Sequence, residues 1–220
     1  MGRAIGRADG TDATTRQIAY WMALLATLLG GLYLLGLVGR LIINGSVHAV
    51  SGAGLQSVSA VVAILWDVAL LVLFAAFRRE YSTGQPLLAE LALSFMILVC
   101  ATSTMNWFIQ LAVLPRLPAG EASTLALLDV HNELSITYAM EHLGWGLFFG
   151  ISALCAAGII QGSGRLAWIH WLLIASGGLS LLHFVGVSVA SPFLSDLGYV
   201  AWGLLLPLAT GLIAPSFHGK

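Results

Sequence analysis

The chain has 220 residues, 59% of them hydrophobic and only 9% charged, and a mean hydropathy of +0.93. Soluble domains carry about 25% charged residues, so this chain lacks the polar surface for a water-facing exterior, and lipid is its expected solvent. A net charge of −1 with no basic block excludes a nucleic-acid partner.

Residues 1–17 read as a polar cytoplasmic tail carrying Arg3, Arg7 and Arg16. No signal-peptide pattern is expected, because the first apolar run is too long for an h-region. Six runs reach the roughly 20 apolar residues that a crossing needs: 18–43, 57–77, 87–113, 137–160, 166–190 and 197–214. Turn chemistry separates them at Asn44-Gly45-Ser46, Ser82 to Pro86, Pro115 to Gly120, Gly162-Ser163-Gly164 and Ser191-Pro192. Residues 215–220 form a short cytoplasmic tail. The expected fold is therefore all-α, an integral membrane bundle of six transmembrane helices over 18–214. With the N-terminus inside, Arg3, Arg7, Arg16, Arg78, Arg79, Arg165 and Lys220 face the cytoplasm and only Arg40 and Arg116 face outward, seven against two. Basic residues gather on the cytoplasmic side, so both termini are expected there.

In chain order, the first span carries Gly30, Gly31, Gly36 and Gly39, small residues that suit close helix packing. Gly144, Gly146, Gly150, Gly158, Gly177 and Gly178 read the same way further on. Tyr20, Trp21, Trp107 and Trp202 lie near span ends and read as interfacial anchors. Cys100 and Cys155 fall inside apolar runs and read as packing residues. The second span places Asp67 near its centre. An acid at that depth is either a proton donor or a neutral carboxyl bonded to a neighbouring helix, and both readings stand.

On the third span Ser103, Asn106 and Gln110 recur on one helical face. The long connection 114–136 includes a short segment led by Ser123, with Asp129, His131 and Glu133 after it. It is either a lid or a solvated loop with a few buried leucines. The fourth span opens with Glu141 and His142. Adjacent helical residues point about 100° apart, so one is expected inward and the other toward the interface. Glu141 is the inward choice, since Glu133 and Thr137 precede it at helical spacing. On the fifth span Ser176, Ser180 and His183 share a face. Asn106, His183 and the Glu141/His142 pair all fall about 7–10 Å outward of mid-span, which predicts a polar pocket in the outer half.

No HExxH or CxxC spacing supports a metal site, and His170 and His183 face nearly opposite ways, which disfavours paired haem ligands. No metal and no cofactor are expected.

The segments NWFIQLAVLPRL (106–117), YAMEHLGWGLFFGISALCAAGII (138–160), LIASGGLSLLHFVG (173–186) and GYVAWGLLLPLATGLI (198–213) resemble a family of bacterial six-helix membrane proteins of the domain-of-unknown-function type. The resemblance covers residues 100–214 and implies a six-helix fold in a bacterial inner membrane, with no activity to carry over. Trp66-Asp67 also resembles the Trp-acid pair of small membrane-embedded terpene cyclases, where the acid protonates an isoprenoid. The second acid of that pattern has no match deep in the last span, because Asp196 falls in the preceding connection.

The sequence thus points to a membrane-embedded enzyme or binder of a small lipophilic molecule. Asp67, Glu141 and His183 are the candidate catalytic residues. Asn106, Gln110, His142 and Ser180 are the candidate ligand-binding residues. A proton-coupled carrier and an accessory scaffold subunit are the alternatives. Oligomeric state is not encoded legibly.

Overall fold

The computed structural model describes residues 13–45, 53–81, 84–118, 121–160 and 162–218. Arg3, Arg7 and Lys220, most of the expected N-terminal tail and turn residues Ser46, Ser82, Thr83 and Gly120 lie outside the described residues. Six helices are long and apolar enough to cross a membrane: Ala13–Ile43, Gln56–Tyr81, Pro86–Arg116, Ile136–Ile159, Arg165–Ser188 and Pro192–Phe217. They are called here the first to sixth spans. A short helix, Ala122–Leu128, sits between the third and fourth. No strand occurs among the described residues.

Local chemistry explains the boundaries. Pro86 and Pro192 open the third and sixth spans, where a missing N–H costs nothing. The Ser135 hydroxyl caps the fourth by accepting from the Tyr138 amide at 2.9 Å. The first span begins at Ala13, earlier than hydropathy suggests, because Thr14, Thr15 and Arg16 continue the helix past its apolar part. The sixth also begins earlier, so Asp196 is helical rather than in a connection. Ser123 does not cap the short helix: Glu121 precedes its first residue, and no side chain caps it.

Each span packs against its neighbours in sequence, and the sixth returns to the first. The result is a closed up-and-down ring. The second, fourth and sixth spans are 56%, 61% and 56% buried over their apolar windows, against 28%, 33% and 33% for the first, third and fifth. The even-numbered spans therefore turn more of their circumference inward. Their tryptophans fill the centre: Trp66 stacks on Trp145 at 5.3 Å between ring centroids, and Trp145 lies 6.0 Å from Trp202. Trp202 is thus a core residue and no interfacial anchor, and Trp107 is half-buried and bonded inside the bundle. Trp21, Trp168 and Trp171 are the exposed ones, all toward the end that carries Arg16 and Arg165. Leu28, Leu35, Ile42, Val61 and Leu182 cover the outer surface, as lipid-facing positions require.

Three spans contain a π-helical turn: Ile109–Val113, Leu143–Phe148 and Ala201–Leu205. Each such turn shifts the helical phase, and such turns occur frequently at functional sites. Gly30 meets Pro207 and Trp66 of the two adjoining spans, so a side chain there would clash, whereas Gly31, Gly36, Gly39 and Gly178 face open space and do not serve close packing.

Candidate functional site

The π turns flank one end of the ring, the end closed by the connection between the third and fourth spans. A cavity of ≈ 710 Å³, its open mouth included, lies there. Its walls come from Tyr33, Leu37 and Arg40 of the first span, Trp107 of the third, Tyr138, Glu141 and His142 of the fourth, and Tyr199 and Trp202 of the sixth. Val130, His131 and Glu133 of the connection complete it.

Both members of the Glu141/His142 pair sit inside the bundle. A 100° separation does not send one outward here, because the fourth span is enclosed over more than half its circumference. The Glu141 carboxylate accepts from Asn106 Nδ2 at 2.7 Å and from Trp107 Nε1 at 3.2 Å. His142 Nδ1 lies 2.7 Å from His183 Nε2, and His183 Nδ1 bonds the Ser195 carbonyl oxygen. That carbonyl only accepts, so Nδ1 of His183 carries a proton. In a neutral pair His183 Nε2 then accepts from His142 Nδ1–H, and Nε2 of His142 becomes its proton-accepting nitrogen. The His142–His183 bond also occupies the two nitrogens that a shared metal would need.

His183 is held tightly. Trp202 meets its ring edge-on at 4.7 Å. A Cβ on Gly198 would stand 2.7 Å from its Nδ1, and one on Gly146 would stand 3.2 Å from its Cδ2. A side chain at Gly198 would strike the Trp202 ring first and one at Gly146 would strike Phe184 first, so both glycines admit a close-packed shell of which the imidazole is part.

The other expected site residues separate by role. Gln110 is buried and fastens the connection: its Nε2 donates to Leu128 O at 2.6 Å, while its Oε1 accepts from Gln56 Nε2 at 3.3 Å and Val130 N at 3.4 Å. Asp67 is fully buried off the cavity wall, accepting from the Thr104 hydroxyl at 3.0 Å, and its second oxygen has no partner among the described residues. Ser180 is fully buried, does not line the cavity, and its hydroxyl has no partner among the described residues. Ser176 and Ser152 donate to the Ala201 and Ala92 carbonyls at 2.7 Å and are structural. His170 bonds the Ala157 carbonyl, far along the chain from this end. No three His, Cys, Asp or Glu side chains converge as metal ligands among the described residues.

Sequence reasoning missed Tyr33, Arg40, Tyr138 and Tyr199. The signal was present: Tyr33, Leu37 and Arg40 share a face at i, i+4, i+7, and Tyr138, Glu141 and His142 share one at i, i+3, i+4. It also missed Glu80 at the opposite end, fully buried and paired with Arg16 at 3.3 Å.

Compared with known proteins, the chain matches no family model, no curated protein and no solved structure.

Proposed function

We propose that this is a multi-pass protein of the cell membrane that binds a small lipophilic molecule at the Glu141/His142 end and can process it by acid–base chemistry. One observation carries the reading: Glu141 and His142 stand in the wall of the same cavity, which opens at one end of the bundle and is lined by five aromatic rings. A carboxyl and an imidazole within one cavity supply a proton donor and a proton acceptor. Asn106 and Trp107 orient the carboxyl, and His183 fixes which nitrogen of His142 accepts. Arg16, Arg78, Arg79 and Arg165 lie at the opposite end from Arg40 and Arg116, which favours cytoplasmic termini and an outward-facing cavity. The likeness to six-helix bacterial membrane proteins fits this topology and adds no activity. Asp67 lies off the cavity wall, so the Trp-acid likeness to terpene cyclases lends no support.

A scaffold reading draws on Gln110, Ser152 and Ser176, whose bonds only knit helices and loops together. The two readings separate by native mass spectrometry of the full chain purified from its own membranes in mild detergent. The proposal expects a stoichiometric bound mass that Glu141→Gln and His142→Ala lose while keeping their helical circular dichroism. A wild-type chain with no bound mass, or variants that keep it, would overturn the proposal.

A further inference from the structure

We propose that the cavity takes an ammonium-bearing amphiphile, with its cationic nitrogen against Glu141; this rests on the reading above that the cavity holds a ligand. The first ground is the unbalanced charge. Glu141 is held by two neutral donors, Asn106 and Trp107, and has no ion-pair partner among the described residues. A carboxylate withdrawn from water calls for a counter-charge, and Arg40, the arginine in the same wall, makes no ion pair with it, which leaves room for a ligand cation. The second ground is the wall. Tyr33, Trp107, Tyr138, Tyr199 and Trp202 surround the same space. Aromatic faces attract organic cations, quaternary ammonium groups above all.

The third ground is the field at the mouth. Glu133 and Glu141 line the cavity, and Asp129 holds His131 in its wall at 3.2 Å. Arg40 is the one arginine or lysine among the lining residues. An acidic mouth with low-dielectric walls concentrates cations. Arg40 adds a place for an anionic group on the same molecule, as a zwitterionic headgroup would require. Beside Glu141 a narrow gap shares Tyr33, Trp107, Glu141 and Trp202 with the cavity and continues to Ala63, Ser103 and Trp145.

The test titrates the full chain in maltoside micelles with hexyltrimethylammonium, hexyl sulfate and hexanol, following tryptophan fluorescence. The expected result is saturable binding of the ammonium at least about tenfold tighter than the other two, as a charge-and-cation–π site should give. Glu141→Gln should lose about tenfold of that affinity and Glu133→Gln about twofold to threefold, whereas Arg40→Gln should leave it unchanged or tighter. Glu133→Gln keeps the test decisive if Glu141→Gln fails to fold. Equal binding of all three compounds, preference for the sulfate, or insensitivity to both glutamate substitutions would overturn the ammonium assignment alone. Saturable binding of none would overturn the ligand cavity itself. Native mass spectrometry from nanodiscs of mixed phosphatidylethanolamine, phosphatidylcholine and phosphatidylglycerol separates the sources. Retention of the amine-bearing lipids by wild type supports a lipid headgroup. Ammonium binding without lipid retention supports a free amine. Selective retention of phosphatidylglycerol counts against both.

Discussion

The two halves of the ring solve opposite problems. Toward the Arg165 end the interior is largely dry: Leu73, Phe74, Phe77, Ile169, Leu173 and Ile213 pack together, the gap among them is lined by apolar side chains apart from Thr210, and the buried Arg16–Glu80 pair and the Thr27–Thr210 bond are its polar links. Toward the Glu141 end the interior holds Ser103, Asn106, Gln110, His142 and His183, each bonded to another helix or loop. The tryptophans Trp66, Trp145 and Trp202 form the boundary between the halves. The dry half holds the helices mainly by shape, since lipid supplies little hydrophobic drive between them, with the Arg16–Glu80, Thr27–Thr210 and Arg165–Ser216 bonds beside it. The polar half holds them by hydrogen bonds and leaves room for a cavity.

The comparison breaks most sharply if charge is placed in the dry half. Leu73→Asp should prevent assembly, because it combines a lost core side chain with an unpaired buried charge, together above about 4 kcal/mol. Asn106→Asp in the polar half should fold, because one proton shared with the Glu141 carboxylate replaces the amide donor, as thermal unfolding in detergent would show for both. Next comes the boundary: Trp145→Ala removes the ring touching Trp66, Phe149 and Trp202 and should cost about 3–5 kcal/mol. A smaller effect is expected for Gly198→Val, whose side chain would meet Trp202 and His183, at about 1–3 kcal/mol. That variant should also shift the imidazole NMR signals of both histidines, and unchanged signals would show that the glycine does not position His183. His183→Ala leaves the His142 Nδ1–H without its acceptor and should cost about 1–3 kcal/mol in the same melts. The smallest change is expected for Asp67→Asn, within about 1 kcal/mol, since the Thr104 hydroxyl can still donate to the amide oxygen. A large loss there would mean that Asp67 carries more than a helix-to-helix bond.

Much of the polar half could be read from spacing. Ser103, Asn106 and Gln110 recur on one face and are all buried, as are Ser176, Ser180 and His183. Period alone finds such stripes, because a polar group in lipid must turn inward. Period does not say what the stripe meets. Gln110 fastens a loop, Asn106 bonds Glu141, and Ser180 bonds nothing among the described residues. Trp202 was misread because its distance from a hydropathy boundary suggested an interface, while the sixth helix starts at Pro192 and carries it deeper. The outward expectation for one of Glu141 and His142 failed because it assumed a half-enclosed helix.

The sequence by itself determined the class of solvent, the number of crossings and the residues that had to turn inward. Each follows from a local sum: apolar length against bilayer thickness, and polar groups against the cost of lipid. Only the tertiary structure decided which inward residues meet. Closing the ring brings Tyr33 and Arg40 of the first span beside Tyr199 and Trp202 of the sixth, and sets His142 against His183. Those encounters depend on neighbour order, on the phase shifts of the π turns and on two glycines that admit an imidazole, and none of these is a property of one helix.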